Sequence, residues 1–424
     1  MTAHGRAHRM APQDAARLHM SVPENPMVIA AALLFDRAIE REVVEDLLVR
    51  RVLPHERFRQ RVEEPRFGLG TPRWVDVARF DVRDHLDVRT SPAAVLDVVA
   101  ERLAIPLDEA RPLWSAHLVP QPSGASALVL LVHHCIADGS GLVALLAELG
   151  DRGGPPAATK PRIAKRGWPS PSRVLAAARS AAKLLVHPGE PATPLRAHLG
   201  GRKRLAFTEA VSLATVGDAS HALGVTINDL LLAAVAGALR AEIERVTGRA
   251  PDRSLALHAL VPVRLEHGSG VAGNQYASMF VPLPIGVADP VARARSIDHD
   301  VHELRARGAV AAGTGVVRAA GVLTAKVERV GVALFSRKAT VMVSNVRGPD
   351  APIRVAGASV SDVLVWAPSP GSIGVGVSLF SYAGRLRVGI STDSRLPVDP
   401  ARIAGEVNRE LVAFGTPSAG ANRD

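Results

Sequence analysis

The chain has 424 residues, 47% of them apolar and 22% charged, a balance that suits a folded protein with room for two domains. A single cysteine, Cys135, excludes an intramolecular disulfide. The net charge of +10 is local: residues 151–204 hold 12 Lys/Arg against 2 Asp/Glu, which leaves the rest formally neutral. That basic stretch lacks the interleaved aromatics, zinc ligands or recognition helix of a nucleic-acid reader, so no nucleic-acid partner is expected.

In chain order, the first twenty residues are basic and have no contiguous apolar core, so they do not read as a secretory signal. Residues 25–35 predict a strand, 40–52 a helix and 73–75 a short strand. Residues 91–103 predict a helix with Ser91-Pro92 as cap and first turn. A strand over 114–119 and a Gln-Pro-Ser-Gly turn lead into the apolar run 127–132, and a helix follows over 142–149. From Gly150 the composition turns to Pro, Gly and cations, as in a linker. Within it, residues 172–186 predict a helix with Arg173, Arg179 and Lys183 on one side. Such a helix suits either an anionic membrane surface or a solvated crossover. Further on, 208–223 and 230–247 predict helices, 255–263 and 278–283 strands, and 291–338 a helix-rich stretch. Strands at 339–344, 374–380 and 385–392 follow. No window of 18 uninterrupted apolar residues is present.

The richest segment is the end of the apolar run: His133-His134-Cys135-Ile136-Ala137-Asp138-Gly139. Imidazole titrates near neutral pH, so a histidine fixed at a strand end suits proton transfer. Adjacent strand residues point to opposite faces, so the two histidines cannot share one role. A structural histidine pair would look the same at this level.

HHxxxDG resembles the signature of the CoA-dependent acyltransferase superfamily. Three further segments occur in the order found in wax ester synthase/diacylglycerol acyltransferases. Pro112-Leu113-Trp114 resembles that family's PLW element, Asn228-Asp229 its ND element, and Asn345-Val346-Arg347-Gly348-Pro349 its NVRGP element. The resemblance runs from about residue 11 to 399, and it departs where Ala11-Pro12-Gln13-Asp14 replaces an SPLD-like start and Ser115 follows PLW. Each motif also has a plain structural use: Trp114 as a core aromatic, Asn228 as a helix N-cap, Arg347-Gly348-Pro349 as a turn with a paired arginine.

The resemblance implies an α/β fold of two chloramphenicol-acetyltransferase-like subdomains with mixed sheets and an active-site tunnel at their interface. The expected division is residues 1–150 for the first, 151–204 for the crossover and 205–424 for the second. It implies acyl transfer from acyl-CoA, a substrate rather than a resident cofactor, to a long-chain alcohol or a diacylglycerol, with no metal. By resemblance the catalytic set is His134, His133, Asp138 and Gly139: His134 is the general base, while His133 and Asp138 maintain the loop, Asp138 paired to an arginine elsewhere in the chain. Asn228, with Asp229 beside it, or backbone N–H groups near Gly139 and Gly141, are the candidate oxyanion donors. The expected place is the cytoplasm, on the inner membrane face or a lipid-body surface. A condensation enzyme working on other acceptors, or a lipid-binding protein without turnover, remains a separate reading.

Overall fold

The computed structural model describes residues 7–65, 70–151, 189–264, 276–306 and 325–415. The first half runs β1 (Ala7–Arg9), α1 (Pro12–His19), β2 (Val28–Phe35), α2 (Arg41–Leu47), β3 (Gln60–Glu63), β4 (Arg73–Asp76), β5 (Leu86–Val88), α3 (Val95–Leu103), β6 (Trp114–Pro120), β7 (Ser126–His133) and α4 (Gly139–Leu149). The second half begins with β8 (Lys203–Phe207), β9 (Val211–Ser212), α5 (Leu213–Leu223), α6 (Ile227–Thr247), β10 (Leu257–Arg264), β11 (Tyr276–Leu283), α7 (Pro290–Ala306) and α8 (Ala325–Ser336). It ends with β12 (Val341–Arg347), β13 (Arg354–Val355), β14 (Ala358–Trp366), β15 (Val375–Tyr382), β16 (Arg385–Asp393) and α9 (Pro400–Gly415).

Two mixed sheets carry the molecule. The first has the order β13-β14-β2-β7-β6-β5, with β5 parallel to β6 and the other pairs antiparallel. The second has the order β11-β10-β12-β15-β16-β8, with β9 also on β16 and with β12 parallel to both β10 and β15. Every residue of β7 is buried because both of its faces are covered. Leu128, Leu130 and Val132 share a core with Leu142, Leu145, Leu146 and Leu149 of α4. Ala127, Val129 and Leu131 share another with Val95, Val98, Val99 and Leu103 of α3. Two covered faces explain why this strand reads as an unbroken apolar run, and each such leucine or valine contributes about 1.5–3 kcal/mol.

The second half is built around α6, whose apolar residues lie in one large core with β10, β12, β15 and β16. Thr226 caps its start in a reciprocal box with Asp229, and Gly248, at φ 68°, ends it. Asn228 is therefore the second residue of the helix and not the N-cap that its position after Ile227 suggested.

Two expectations are corrected. Helix α3 begins at Val95 with Ala94 at its N-cap, so Ser91-Pro92 lies ahead of it. Residues 208–212 are not helical: Thr208 exchanges bonds with Val388, Oγ1 accepting the Val388 N–H and the Thr208 N–H meeting the Val388 carbonyl. Those sheet contacts delay the helix to Leu213, where Ser212 caps it. The sheets also divide differently from the composition. Strand β8 starts inside the expected crossover, and β13 and β14, from the second half of the chain, complete the first sheet.

The β14 crossing is held by an antiparallel ladder from Phe35↔Val360 to Ala30↔Trp366 and by the Arg387–Asp362 ion pair. It lies directly on the second sheet at Gly389, where a Cβ would come within 2.5 Å of the Val365 carbonyl oxygen. The expected basic helix bearing Arg173, Arg179 and Lys183 lies outside the described residues. No single helix among the described residues is long and apolar enough to cross a membrane.

Candidate active site

The histidine turn is held from below by backbone bonds. The His133 N–H donates to the Leu113 carbonyl at 2.9 Å, and the His134 N–H donates to the Met27 carbonyl at 2.7 Å. Leu113 of the PLW segment thus sets the end of β7. Trp114 anchors that segment: its indole N–H donates to the Phe58 carbonyl at 2.9 Å. Its ring stacks on His85 at 4.6 Å and meets Phe58 edge-on at 5.7 Å. PLW thus braces the histidine turn through backbone bonds and ring packing.

His133 is buried, and its Nδ1 accepts the Cys135 N–H at 3.2 Å, which places the ring proton on Nε2. Burial, with the neighbouring His134 adding to it, depresses the His133 pKa to about 3. The unfolded chain takes up a proton as pH falls through about 6.5, whereas the folded ring stays neutral until about 3. The associated stability is therefore complete above 6.5 and is lost progressively toward pH 3, at about 1.4 kcal/mol per pH unit. Urea midpoints from pH 7 to pH 4 check this. The wild type is expected to lose stability more steeply than His133→Asn, whose amide oxygen can still accept the Cys135 N–H.

Asp138 caps α4. Its Oδ1 accepts the Gly141 N–H at 2.9 Å and the Ser140 hydroxyl at 2.6 Å. The Gly141 N–H, a candidate oxyanion donor by sequence, is thereby already committed to the cap. Gly139 has a steric reason: a Cβ there would lie 2.7 Å from Val346 Cγ2. Its absence lets β12 of the second sheet pack against the start of α4.

His134 faces that junction. It opens on a cavity between the two halves. The first half contributes Ile29, His134, Gly139 and Leu142, the second Ser344, Val346, Ser378, Leu379 and Phe380, and the crossing strand Val365 with Ala367. Apart from the His134 imidazole, one phenyl ring and two serine hydroxyls, the lining is aliphatic, so it suits an alkyl chain.

The remaining motif residues support this cavity from outside it. Along β12, Ser344 and Val346 line the cavity, while the side chain of Asn345, between them, donates to Asn228 Oδ1 at 3.4 Å. Asn228 is therefore joined through its Oδ1 to Asn345, on the far side of β12 from Ser344 and Val346. Asp229 is fully buried and accepts from the Thr226 backbone N–H and hydroxyl, so it serves the helix start. Burial raises its pKa. Arg347 pairs with Asp350 at 2.9 Å, with both side chains exposed, as in the expected turn. The Gly348 N–H donates to the Ser381 carbonyl at 2.9 Å, and the Pro349 carbonyl accepts the Ala383 N–H at 2.9 Å. NVRGP thus clamps β12 to β15 beside Phe380. Sequence reasoning missed Ser378, Phe380 and Val365; an alternation in Val375–Tyr382 was legible, but the strand has no polar face to single out Ser378.

Two sheets joined by a crossing strand, with the second histidine of HHxxxDG in the cavity between them, define a two-subdomain acyltransferase architecture. Residues 10–167 match the wax ester synthase/diacylglycerol acyltransferase catalytic domain, and residues 272–414 match the WS/DGAT C-terminal domain. A Mycobacterium tuberculosis protein named as the diacylglycerol O-acyltransferase tgs1 is 27% identical over 410 residues, 88% of each chain. Another protein of that organism, also named as a diacylglycerol O-acyltransferase, is 33% identical over 298 residues, covering 58% of this chain and 59% of its own. Among solved structures, the wax ester synthase/diacylglycerol acyltransferase from Marinobacter aquaeolei VT8 superposes with a TM-score of 0.69 at 21% identity, over 96% of this chain and 98% of its own. The chain belongs to the wax ester synthase/diacylglycerol acyltransferase family.

Proposed function

We propose that the protein moves a long-chain acyl group from acyl-CoA to a fatty alcohol or a diacylglycerol, with His134 as the general base. The observation that carries this reading is the position of His134, in an alkyl-lined cavity where the two halves of a family member meet. An alcohol is a poor nucleophile at neutral pH, so a base must take its proton as it attacks the thioester carbonyl carbon. Holding both substrates in one cavity supplies the proximity that makes a covalent acyl-enzyme unnecessary. Acyl-CoA enters as a substrate, and no step is assigned to a resident cofactor or metal. His133, with its proton fixed on Nε2, and Asp138, at the helix cap, hold the turn on which His134 sits.

Purified protein incubated with labelled palmitoyl-CoA and either hexadecanol or dipalmitoylglycerol tests the reading, with the products resolved by chain class. Wax ester, triacylglycerol or both are expected; no ester from either acceptor overturns it. Because these acceptors reside in lipid, the same reading includes contact with a membrane or lipid-body surface. Co-flotation with phosphatidylglycerol vesicles is the expected result, and full recovery of the protein in the unbound fraction overturns that part.

A further inference from the structure

The cavity contains two side-chain hydroxyls opposite His134, and they differ in how they are held. Ser344 and Ser378 are register partners on the adjacent parallel strands β12 and β15, about 4.8 Å apart across the sheet. Ser344 is half-buried, and no hydrogen bond of its hydroxyl is found among the described residues. Ser378 is 4% exposed, and its Oγ accepts the backbone N–H of Ala367 at 2.7 Å. That N–H belongs to the crossing segment just after β14, which itself lines the cavity. The bond uses a lone pair of Ser378 and holds its Oγ against the crossing segment. The proton of Ser378 has no acceptor among the described residues, although the side chain is buried. A buried hydroxyl with its acceptor side satisfied and its donor side open is suited to a substrate oxygen.

We propose that Ser378 is a catalytic residue, its hydroxyl donating to the thioester carbonyl oxygen as that oxygen becomes negative. The inference rests on the acyl-transfer reading above. In the first step the alcohol oxygen bonds to the thioester carbon, the C=O π pair moves onto oxygen, and His134 takes the alcohol proton. In the second the oxyanion re-forms C=O, the C–S bond breaks, and the proton from His134 passes to the leaving sulfur, giving the ester and free CoA thiol. The Ser378 donor is worth most between these steps, when its acceptor is fully charged. The Ala367 N–H holds it in place beforehand, so no reorganisation is required as charge develops. The crossing strand thereby gains a chemical task beyond joining the sheets: it aims a donor carried by the second half at a reaction whose base comes from the first.

Steady-state turnover of palmitoyl-CoA with hexadecanol, measured for wild type, Ser378→Ala, Ser378→Thr and Ser344→Ala, tests this. It is paired with the affinity of each protein for S-hexadecyl-CoA, a thioether with no carbonyl. Ser378→Ala is expected to lower kcat by about 10²–10³-fold, with KM for palmitoyl-CoA and the thioether affinity within about two-fold of wild type. Ser378→Thr keeps the hydroxyl and is expected to recover activity to within about ten-fold, and Ser344→Ala is expected to lose less than Ser378→Ala. A Ser378→Ala enzyme with kcat within five-fold of wild type overturns the assignment. So does a parallel loss of thioether affinity, which would make Ser378 a strut for the crossing strand only. A wild-type protein that makes no ester overturns the function itself, whereas an active wild type with an unaffected Ser378→Ala overturns only this inference.

Discussion

His134→Ala is expected to lower ester formation from palmitoyl-CoA by about 10³-fold, within the 10²–10⁴ range usual for loss of a positioned general base. The fold survives, because the bond that fixes this residue is made by its backbone N–H to the Met27 carbonyl and remains in the variant. The truncated side chain enlarges an existing cavity instead of opening a new one in a packed core. A urea midpoint near that of wild type, together with lost turnover, is the expected pair of results. Turnover near wild type would remove His134 from the mechanism. A collapse of stability with turnover would make it a structural histidine, the alternative that the bare motif leaves open.

The second large effect is expected at Gly348→Ala. A Cβ there would sit 2.5 Å from Phe380 Cζ and closer still to the Ser381 carbonyl oxygen, which accepts the Gly348 N–H. Neither neighbour can yield cheaply. The carbonyl is backbone at the end of a paired strand, and Phe380 is buried in a packed core. The expected cost is about 1–3 kcal/mol, the usual range for forcing extra volume into a close-packed site. Because Phe380 also lines the His134 cavity, turnover falls with stability. Equilibrium urea unfolding and ester formation measured on the same preparation check both. An unchanged midpoint would mean that the β12–β15 clamp is looser than its geometry shows.

These two positions were legible in the sequence to different degrees. His134 stood out because two histidines at the end of an apolar run, followed by Asp138 and Gly139, form a compact local pattern. Resemblance to the acyltransferase signature then divided the pair, and the two rings have different surroundings: the His133 ring is bonded to the turn, and His134 lines the cavity. Gly348 was legible only as part of a motif. Its reason is an approach to residues more than thirty positions away, which no local window contains. Asn228 shows how a cap can be misplaced. Its place ahead of an apolar helix suggested a cap or an oxyanion donor; the cap is Thr226, and the Asn228 Oδ1 accepts from Asn345. The helix start is set by side chain-to-backbone bonds one turn long, so shifting the cap by two residues left the local pattern almost unchanged.

The chain alone determined what depends on neighbours in sequence: the doubly buried β7 run, the helix that follows Asp138, the long helix after Thr226, and the family to which the ordered motifs point. Hydrophobic periodicity and capping chemistry act over a few residues, and they are written where they act. Only the tertiary structure decided which strand crosses between the sheets, which face of β12 meets His134, and that Ser378 and Phe380 share the cavity with it. Those outcomes rest on pairings between residues hundreds of positions apart, such as Phe35 with Val360. Strand register specifies such a contact only after both partners have been brought to the same sheet.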